Sequence, residues 1–325
     1  MDRRTACLTL AAVSSLAAIP ARAQSTRTAR VAWVSVDRAY LDSPYLASFR
    51  SGMHTLGWVE GRNLLIDFWW GEGSVERLKN LVPEVVASRP DVIVATGGPT
   101  VTLIDSSVQL PIVFTYSADV VLGKVVESWA RPGGNRTGVS FFSLELGPKR
   151  LALTKEILPG MKRVAFVGWP PHAGELIELQ TVTTAAEKLG LEHRYYGAES
   201  VADLDKAFES IAQWKADAIH GFAGRIVVTN AERFARFAER SRIPTVSSWA
   251  VVAERGNLMT YGPVLRESFV RLASIVDRIL NGTKPADIAV ERPTKFELVI
   301  NMKAAKTLGI VIPQSVLLRT DRLIE

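Results

Sequence analysis

Val92-Ile-Val-Ala-Thr-Gly-Gly-Pro-Thr100 runs from a β-branched apolar stretch directly into two glycines and a proline. A short, continuous apolar run marks a strand covered on both faces, which a parallel sheet provides. Gly97 and Gly98 make a tight turn, and Pro99 suits the first turn of a helix. Strand, turn and helix in immediate succession are one step of an α/β sheet. The flanking sequence repeats that step. Val31-Ala-Trp-Val-Ser-Val36 is a strand, and Tyr45 to Leu56 has helical spacing that stops at Gly57. Leu64-Leu-Ile-Asp-Phe-Trp69 is another strand, Val75 to Ser88 is a helix ended by Arg89-Pro90, and Pro111-Ile-Val-Phe-Thr115 is a fourth strand. This order predicts a parallel sheet with helices on both faces.

The pattern then restarts. Val164 to Trp169 echoes Val31 to Val36, and a helix from about Glu175 to Leu189 ends at Gly190 as the earlier one ends at Gly57. Ala218 to Gly224 echoes Val92 to Gly98, Pro244 to Ser248 echoes Pro111 to Thr115, and Leu258 to Gly262 echoes Gly138 to Phe142. The offsets between these five pairs are 133, 133, 126, 133 and 120 residues. The expectation is two similar doubly wound α/β lobes in tandem, with a ligand cleft between their strand ends.

The chain has 325 residues, 47% hydrophobic and 22% charged, which excludes a disordered tail, a collagen repeat and a disulfide scaffold. The formal charge of +6 is spread among mixed acids and bases, so no nucleic-acid arm is present and no nucleic-acid partner is expected. Asp2-Arg3-Arg4, the apolar stretch Ala6 to Pro20 and Ala21-Arg22-Ala23 read as an export signal over residues 1–23, cleaved before Gln24. Arg3-Arg4 hints at the twin-arginine route without completing its motif. The single cysteine, Cys7, lies ahead of the apolar stretch, the wrong place for a lipid anchor.

Enzyme signatures are missing. There is no phosphate-binding Gly-x-x-x-x-Gly-Lys-Ser/Thr loop and no Gly-x-Ser-x-Gly elbow, and Gly71-Glu-Gly73 lacks the third glycine of a dinucleotide fingerprint. His172 and Glu175 stand three apart without a second metal-ligand pair, so they read as loop polarity. No nucleophile, base and orienting group come together, and neither a cofactor nor a metal is expected.

Ligand-cradling loops are present instead. Gly97 and Gly98 leave bare backbone at a helix start, where a carboxylate is welcome, although the same residues also make a plain turn. Thr96, Pro99 and Thr100 complete that loop. Ser117, Ala118 and Asp119 follow the fourth strand. Ser117 and Asp119 either bind a ligand, Asp119 meeting an ammonium, or cap the next helix. Val36 ends the first strand with Asp37 and Tyr40 after it, and Ser140 lies in the Gly138 to Phe142 stretch before the first crossover. Trp169, Phe222, Trp249 and Tyr261 supply aromatic surface opposite, suited to a solute with a flat or apolar body.

Leu56-Gly-Trp-Val-Glu-Gly-Arg-Asn63, Ala130-Arg-Pro-Gly-Gly-Asn-Arg-Thr-Gly138, Leu146-Gly-Pro-Lys-Arg150 and Pro293-Thr-Lys-Phe-Glu-Leu-Val-Ile-Asn301 resemble the ABC transporter substrate-binding proteins of the tryptophan/tyrosine-type group. The resemblance covers about Val31 to Glu325. It implies the type I periplasmic-binding-protein fold, two lobes joined by three crossovers and closing on a small solute. The implied limits are 29–142 plus 263–292 for one lobe and 143–262 plus 293–325 for the other, with crossovers near Ser143, Gly262 and Pro293. It also implies a monomeric periplasmic receptor delivering its solute to a membrane permease with a cytoplasmic ATPase. Characterised members bind aromatic amino acids. Other readings are a periplasmic sensor signalling to a membrane partner, a ligand-sensing regulator, which would need a DNA-binding helix-turn-helix where the export signal stands, and a periplasmic enzyme.

Overall fold

The computed structural model describes residues 28–325 except 38, 40, 42, 142–144 and 173. The expected export signal and Tyr40 therefore lie outside the described residues, as does the crossover position Ser143. The first part of the chain alternates β1 (Ala29–Ser35), α1 (Pro44–Thr55), β2 (Leu64–Trp70), α2 (Val75–Ala87), β3 (Val92–Thr96), α3 (Pro99–Asp105), β4 (Ile112–Tyr116) and β5 (Arg136–Ser140). These strands form one parallel sheet in the order β2-β1-β3-β4-β5. Because side chains alternate along a strand, the apolar run of β1 serves two cores. Val31 and Trp33 join the core beneath α1, while Ala32 and Val34 join the one formed with α2 and α3.

The second part comprises α4 (Leu146–Ile157), β6 (Arg163–Gly168), α5 (Glu175–Lys188), β7 (Glu192–Gly197), α6 (Val201–Trp214), β8 (Ala218–Gly221), α7 (Arg225–Thr229), α8 (Ala231–Ser241), β9 (Thr245–Ser247), α9 (Ala250–Glu254) and β10 (Met259–Pro263). After these come α10 (Leu265–Leu280), β11 (Phe296–Asn301), α11 (Met302–Leu308), α12 (Gln314–Leu317) and β12 (Arg322–Ile324). The second sheet runs β12-β11-β10-β9-β8-β6-β7, parallel throughout except where β10 meets β11. Its part β7-β6-β8-β9-β10 has the strand order of the first sheet, which bears out the tandem α/β reading.

The two sheets are not equal, and this refines the expectation of two similar lobes. β11 and β12 extend the second sheet beyond the shared five-strand frame, and β11 enters it antiparallel. The sequence reading did not anticipate β7, because Glu192-His-Arg-Tyr-Tyr-Gly197 is an exposed or half-buried edge strand with no apolar run. Expected strand limits agree with the observed ones to within two residues, apart from β8, which stops at Gly221.

The chain crosses between the sheets more than once. After β10, α10 returns to the first sheet and packs on α1. Phe269 stacks on Tyr45 at 5.3 Å between ring centroids and lies 6.0 Å from Trp33. The helices approach so closely that a Cβ on Gly52 would sit 2.8 Å from Ala273 Cβ. The indole of Trp58 donates to Asp277 Oδ1 at 2.9 Å, and Thr137 Oγ1 donates to the Ile288 carbonyl at 2.7 Å. Glu291 then runs beside β5, receiving the Ser140 N–H, before the chain re-enters the second sheet as β11. The Val264 N–H donates to the Lys295 carbonyl at 3.1 Å, so the second and third crossings lie side by side.

Because Phe269 fills the first lobe from a distant part of the chain, Phe269→Ala should cost about 3–5 kcal/mol, the usual range for deleting a buried phenyl ring. Hydrogen exchange should then quicken in β1 and α1 and stay unchanged in β6 and β8. Equal loss of protection in both sheets would show that α10 belongs to neither in particular.

Candidate functional site

All strands of a parallel sheet end at one edge, so the loops after β1, β3 and β4 gather at one rim of the first lobe. Those after β6, β8 and β9 gather at the matching rim of the second. The rims meet. Ser117 Oγ lies 2.6 Å from His172 Nε2, and a Cβ on Gly174 would collide with Ala118 Cβ. Arg225 Nη1 is 3.3 Å from where a Cβ on Gly73 would stand. Phe141 and Trp249 approach edge-on at 6.1 Å. The lobes are therefore in contact along a cleft.

The His172 contact has a defined polarity. The Gly174 N–H donates to Nδ1 at 3.2 Å, so Nδ1 carries a lone pair. Nε2 must then hold the proton and donate it to Ser117 Oγ. Burial pushes the imidazole down to about 4, in keeping with a neutral ring. Asp37 is exposed to solvent, yet enclosure by protein raises its carboxyl above the ordinary value, opposed by Arg225 and by a 3.3 Å hydrogen bond donated by Ser35 Oγ.

The glycine turn faces open space. Gly97 has φ +76°, and a Cβ there would meet nothing within 4 Å; one on Gly98 would touch only Val36, at 4.0 Å. Its donors are largely spent, however. Gly97 N–H donates to the Thr115 carbonyl at 3.0 Å and Thr100 N–H to the Gly97 carbonyl at 3.1 Å, while Pro99 has none. Pro99 and Thr100 are themselves buried, and Thr96 Oγ1 donates to the Val34 carbonyl at 3.4 Å. The loop offers bare surface to a solute more than it offers an anion cradle.

Other expected residues take different places. Asp119 Oδ1 accepts the N–H groups of Val121 and Leu122, each at 2.8 Å, so it caps the turn after β4 and does not stand free for an ammonium. Ser140 Oγ donates to the Ala118 carbonyl at 3.1 Å and holds that loop. Val36 is buried under the turn at Gly71. Phe222 is a correction: its ring is fully buried in the second lobe's core, 5.9 Å from Phe166 and 6.1 Å from Tyr195, away from any cleft wall. Tyr261 is half-buried, and its hydroxyl accepts from Lys149 Nζ at 2.7 Å. Trp169 and Trp249 remain half-buried at the rims, and the Trp249 indole N–H has no hydrogen-bond partner.

Behind the second rim lies a buried ionic core. Arg150 Nη2 bonds Glu178 Oε1 at 2.9 Å with both side chains essentially inaccessible. Arg150 Nη1 donates to the Tyr261 carbonyl at 3.3 Å, and the Ala223 N–H donates to Glu178 Oε2 at 3.5 Å. Beside it, Tyr195 donates to Glu175 Oε1 at 2.8 Å, and burial raises the Glu175 carboxyl to about 7. No group of three or more His, Cys, Asp and Glu side chains among the described residues could hold a metal.

The family model for ABC transporter substrate binding proteins matches residues 39–324. The chain belongs to that family. This substrate-binding protein is 22% identical over 264 residues to a tyrosine-binding protein of Clostridioides difficile, covering 81% of this chain and 75% of that one. A conserved domain protein from Vibrio cholerae superimposes with TM-score 0.84 at 30% identity, over 91% of this chain and all of that one. A Streptococcus pneumonia ABC domain in complex with L-Trp superimposes with TM-score 0.85 at 23% identity, again over 91% of this chain and 100% of that one. The two-lobed α/β fold of the substrate-binding protein is thereby shared with solved structures.

Sequence reasoning missed His172 and Arg225 as cleft residues. The internal repeat held a signal for Arg225: the 126-residue offset pairs Gly98 with Gly224, and therefore Pro99 with Arg225. His172 follows Trp169-Pro-Pro171 in a strand-end loop, where its position counted for more than its metal spacing.

The neutral His172 contact makes lobe contact sensitive to acid. As pH falls from the ordinary histidine value of 6.5 toward about 4, the separated lobes take up a proton that the joined lobes refuse. Closure should therefore weaken across that window and be unaffected above it. Glu175 works oppositely, on folding of the second lobe alone, whose stability falls as pH rises from about 4.5 to about 7. Solution scattering should show expansion below pH 6.5, and His172→Gln, which keeps a donor for Ser117, should remove it.

Proposed function

We propose that this chain is the solute receptor of an ABC importer, capturing a small solute between its lobes and delivering it to a membrane permease with a cytoplasmic ATPase. The observation that carries the reading is the meeting of two strand-end rims across side-by-side crossings. Rims joined this way rotate as bodies, and the loops between them can enclose a solute. We assign residues 29–142 plus 263–292 to one lobe and 143–262 plus 293–325 to the other. The receptor acts as a monomer and performs no catalysis.

The solute is an amino acid or an aromatic or apolar organic acid. The relatives named for tyrosine and for L-Trp support that class, as do Trp169 and Trp249 at the rims. No helix among the described residues is long and apolar enough to cross a membrane. That fits a receptor working in the periplasm after export.

Thermal shift against a metabolite panel should find stabilisation by amino acids without turnover, and scattering should show a smaller radius of gyration at saturation. A saturating solute that leaves the scattering curve unchanged would overturn the closure reading. Protein recovered from a periplasmic fraction should begin at Gln24, and a chain still beginning at Met1 would overturn export.

A further inference from the structure

Arg225 is a cleft side chain whose charge reaches from the second lobe to the first and, among the described residues, finds no acid to pair with. It stands directly after Gly224, at the start of α7, and its guanidinium lies 5.6 Å from the centre of the Trp169 ring. Its Nη1 is within van der Waals reach of the Gly73 turn of the opposite lobe, at 3.3 Å from a Cβ placed there. Its Nε is buried and has no hydrogen-bond partner. Among the described residues, no carboxylate forms an ion pair with it. A buried donor on a permanent cation without an acceptor is costly, and the cost disappears when an anion arrives.

The opposite charge that Arg225 acts on is Asp37, on the loop after β1. The two sense each other, since Arg225 draws the Asp37 carboxyl down against its enclosure. They do not form an ion pair, which leaves an interval with a cation on one side and an anion on the other. Trp169 supplies a flat apolar floor beside the cation. The glycine turn is the weaker anion site, because the N–H groups of Gly97 and Thr100 are engaged within the loop and Pro99 lacks one, which leaves the neutral Gly98 N–H against the full charge of Arg225. We infer that Arg225 anchors the solute's carboxylate and Asp37 its ammonium, so that the cleft selects zwitterions over solutes carrying one charge. The inference rests on the receptor reading above and assigns residues to it.

The geometry also explains two local features. Gly73 has φ +85° and lies where any side chain would press on the guanidinium, so its small size keeps the arm extended across the cleft. The guanidinium lies within cation–π reach of Trp169, and its planar fork is the group that pairs with a carboxylate through two hydrogen bonds.

Calorimetry on the full chain can test the assignment with L-tryptophan, tryptamine, which lacks the carboxylate, and indole-3-propionate, which lacks the ammonium. A thermal-shift panel of the other amino acids extends the comparison to different side chains. Wild type should bind a zwitterion more tightly than either singly charged analogue. Arg225→Gln should lose about tenfold to a hundredfold in zwitterion affinity and leave the amine unaffected. Asp37→Asn should lose zwitterion affinity and leave the acid unaffected, while Arg225→Lys, keeping charge without the fork, should fall between. Unaltered melting of the variants without solute confirms that they fold. If Arg225→Gln weakens amine and zwitterion equally, or neither, the anchor assignment is overturned. If the wild type binds only solutes without a carboxylate, the protein is still a solute receptor, but both the amino-acid or organic-acid class and the anchor are overturned. If no small solute stabilises the wild type at all, the receptor reading fails and takes this one with it.

Discussion

The ion pair of Arg150 and Glu178 is the point from which the second rim hangs. Arg150 belongs to α4 and Glu178 to α5, so the pair joins two helices on one face of the second sheet. Its remaining hydrogen bonds reach the Tyr261 carbonyl of β10 and the Ala223 N–H ahead of Arg225. A buried pair of this kind contributes little net stability unless its geometry is good, because desolvation offsets most of the attraction. Its effect here is positional. The α5 end carries the loop of His172, and the Ala223 loop carries Arg225, so both rim side chains are referenced to one rigid centre. Burial drives the Arg150 guanidinium below its ordinary value and the Glu178 carboxyl above its own, and each charge is kept by the other.

Across the cleft the forces are slighter. Among the described residues, one histidine–serine hydrogen bond, one edge-on ring pair and the approaches of Gly174 to Ala118 and of Arg225 to Gly73 connect the rims. A hydrogen bond and an aromatic pair are each worth about 1 kcal/mol net. Within each lobe, by contrast, large buried apolar clusters hold the helices to the sheet. The ratio decides the mechanics, with rigid lobes and a weak seam between them. The rims have also divided the work. The first presents glycine backbone and Asp37, and the second presents long side chains, Trp169 and Arg225.

Sequence reading reached the fold because central strands must be apolar on both faces, and Val31 to Val34 and Val164 to Val167 are. Features governed by one-sided or distant burial were less legible. The edge strand β7 has no apolar run. The periodicity of α10 states that it is amphipathic but not which sheet it covers. In the site, Asp119 carried a residue type suited both to capping and to ligands, and only the two N–H groups aimed at Oδ1 decide between them. Phe222 follows a strand as Trp169 does, but its backbone turns the ring inward onto Phe166. His172 gained its meaning from Ser117, 55 residues away and in the other lobe.

The position of α10 also sets the order in which the molecule can be finished. A chain emerging N-terminus first produces all five strands of the first sheet by Ser140, yet the core face beneath Trp33 and Phe49 stays uncovered until Phe269 and Ile275 have followed. The lobe begun first is therefore completed late, after most of the second has been made. Contacts of such long sequence separation fold slowly and leave apolar surface exposed meanwhile. For a nascent polypeptide this means a long interval in which a holding chaperone has something to grip.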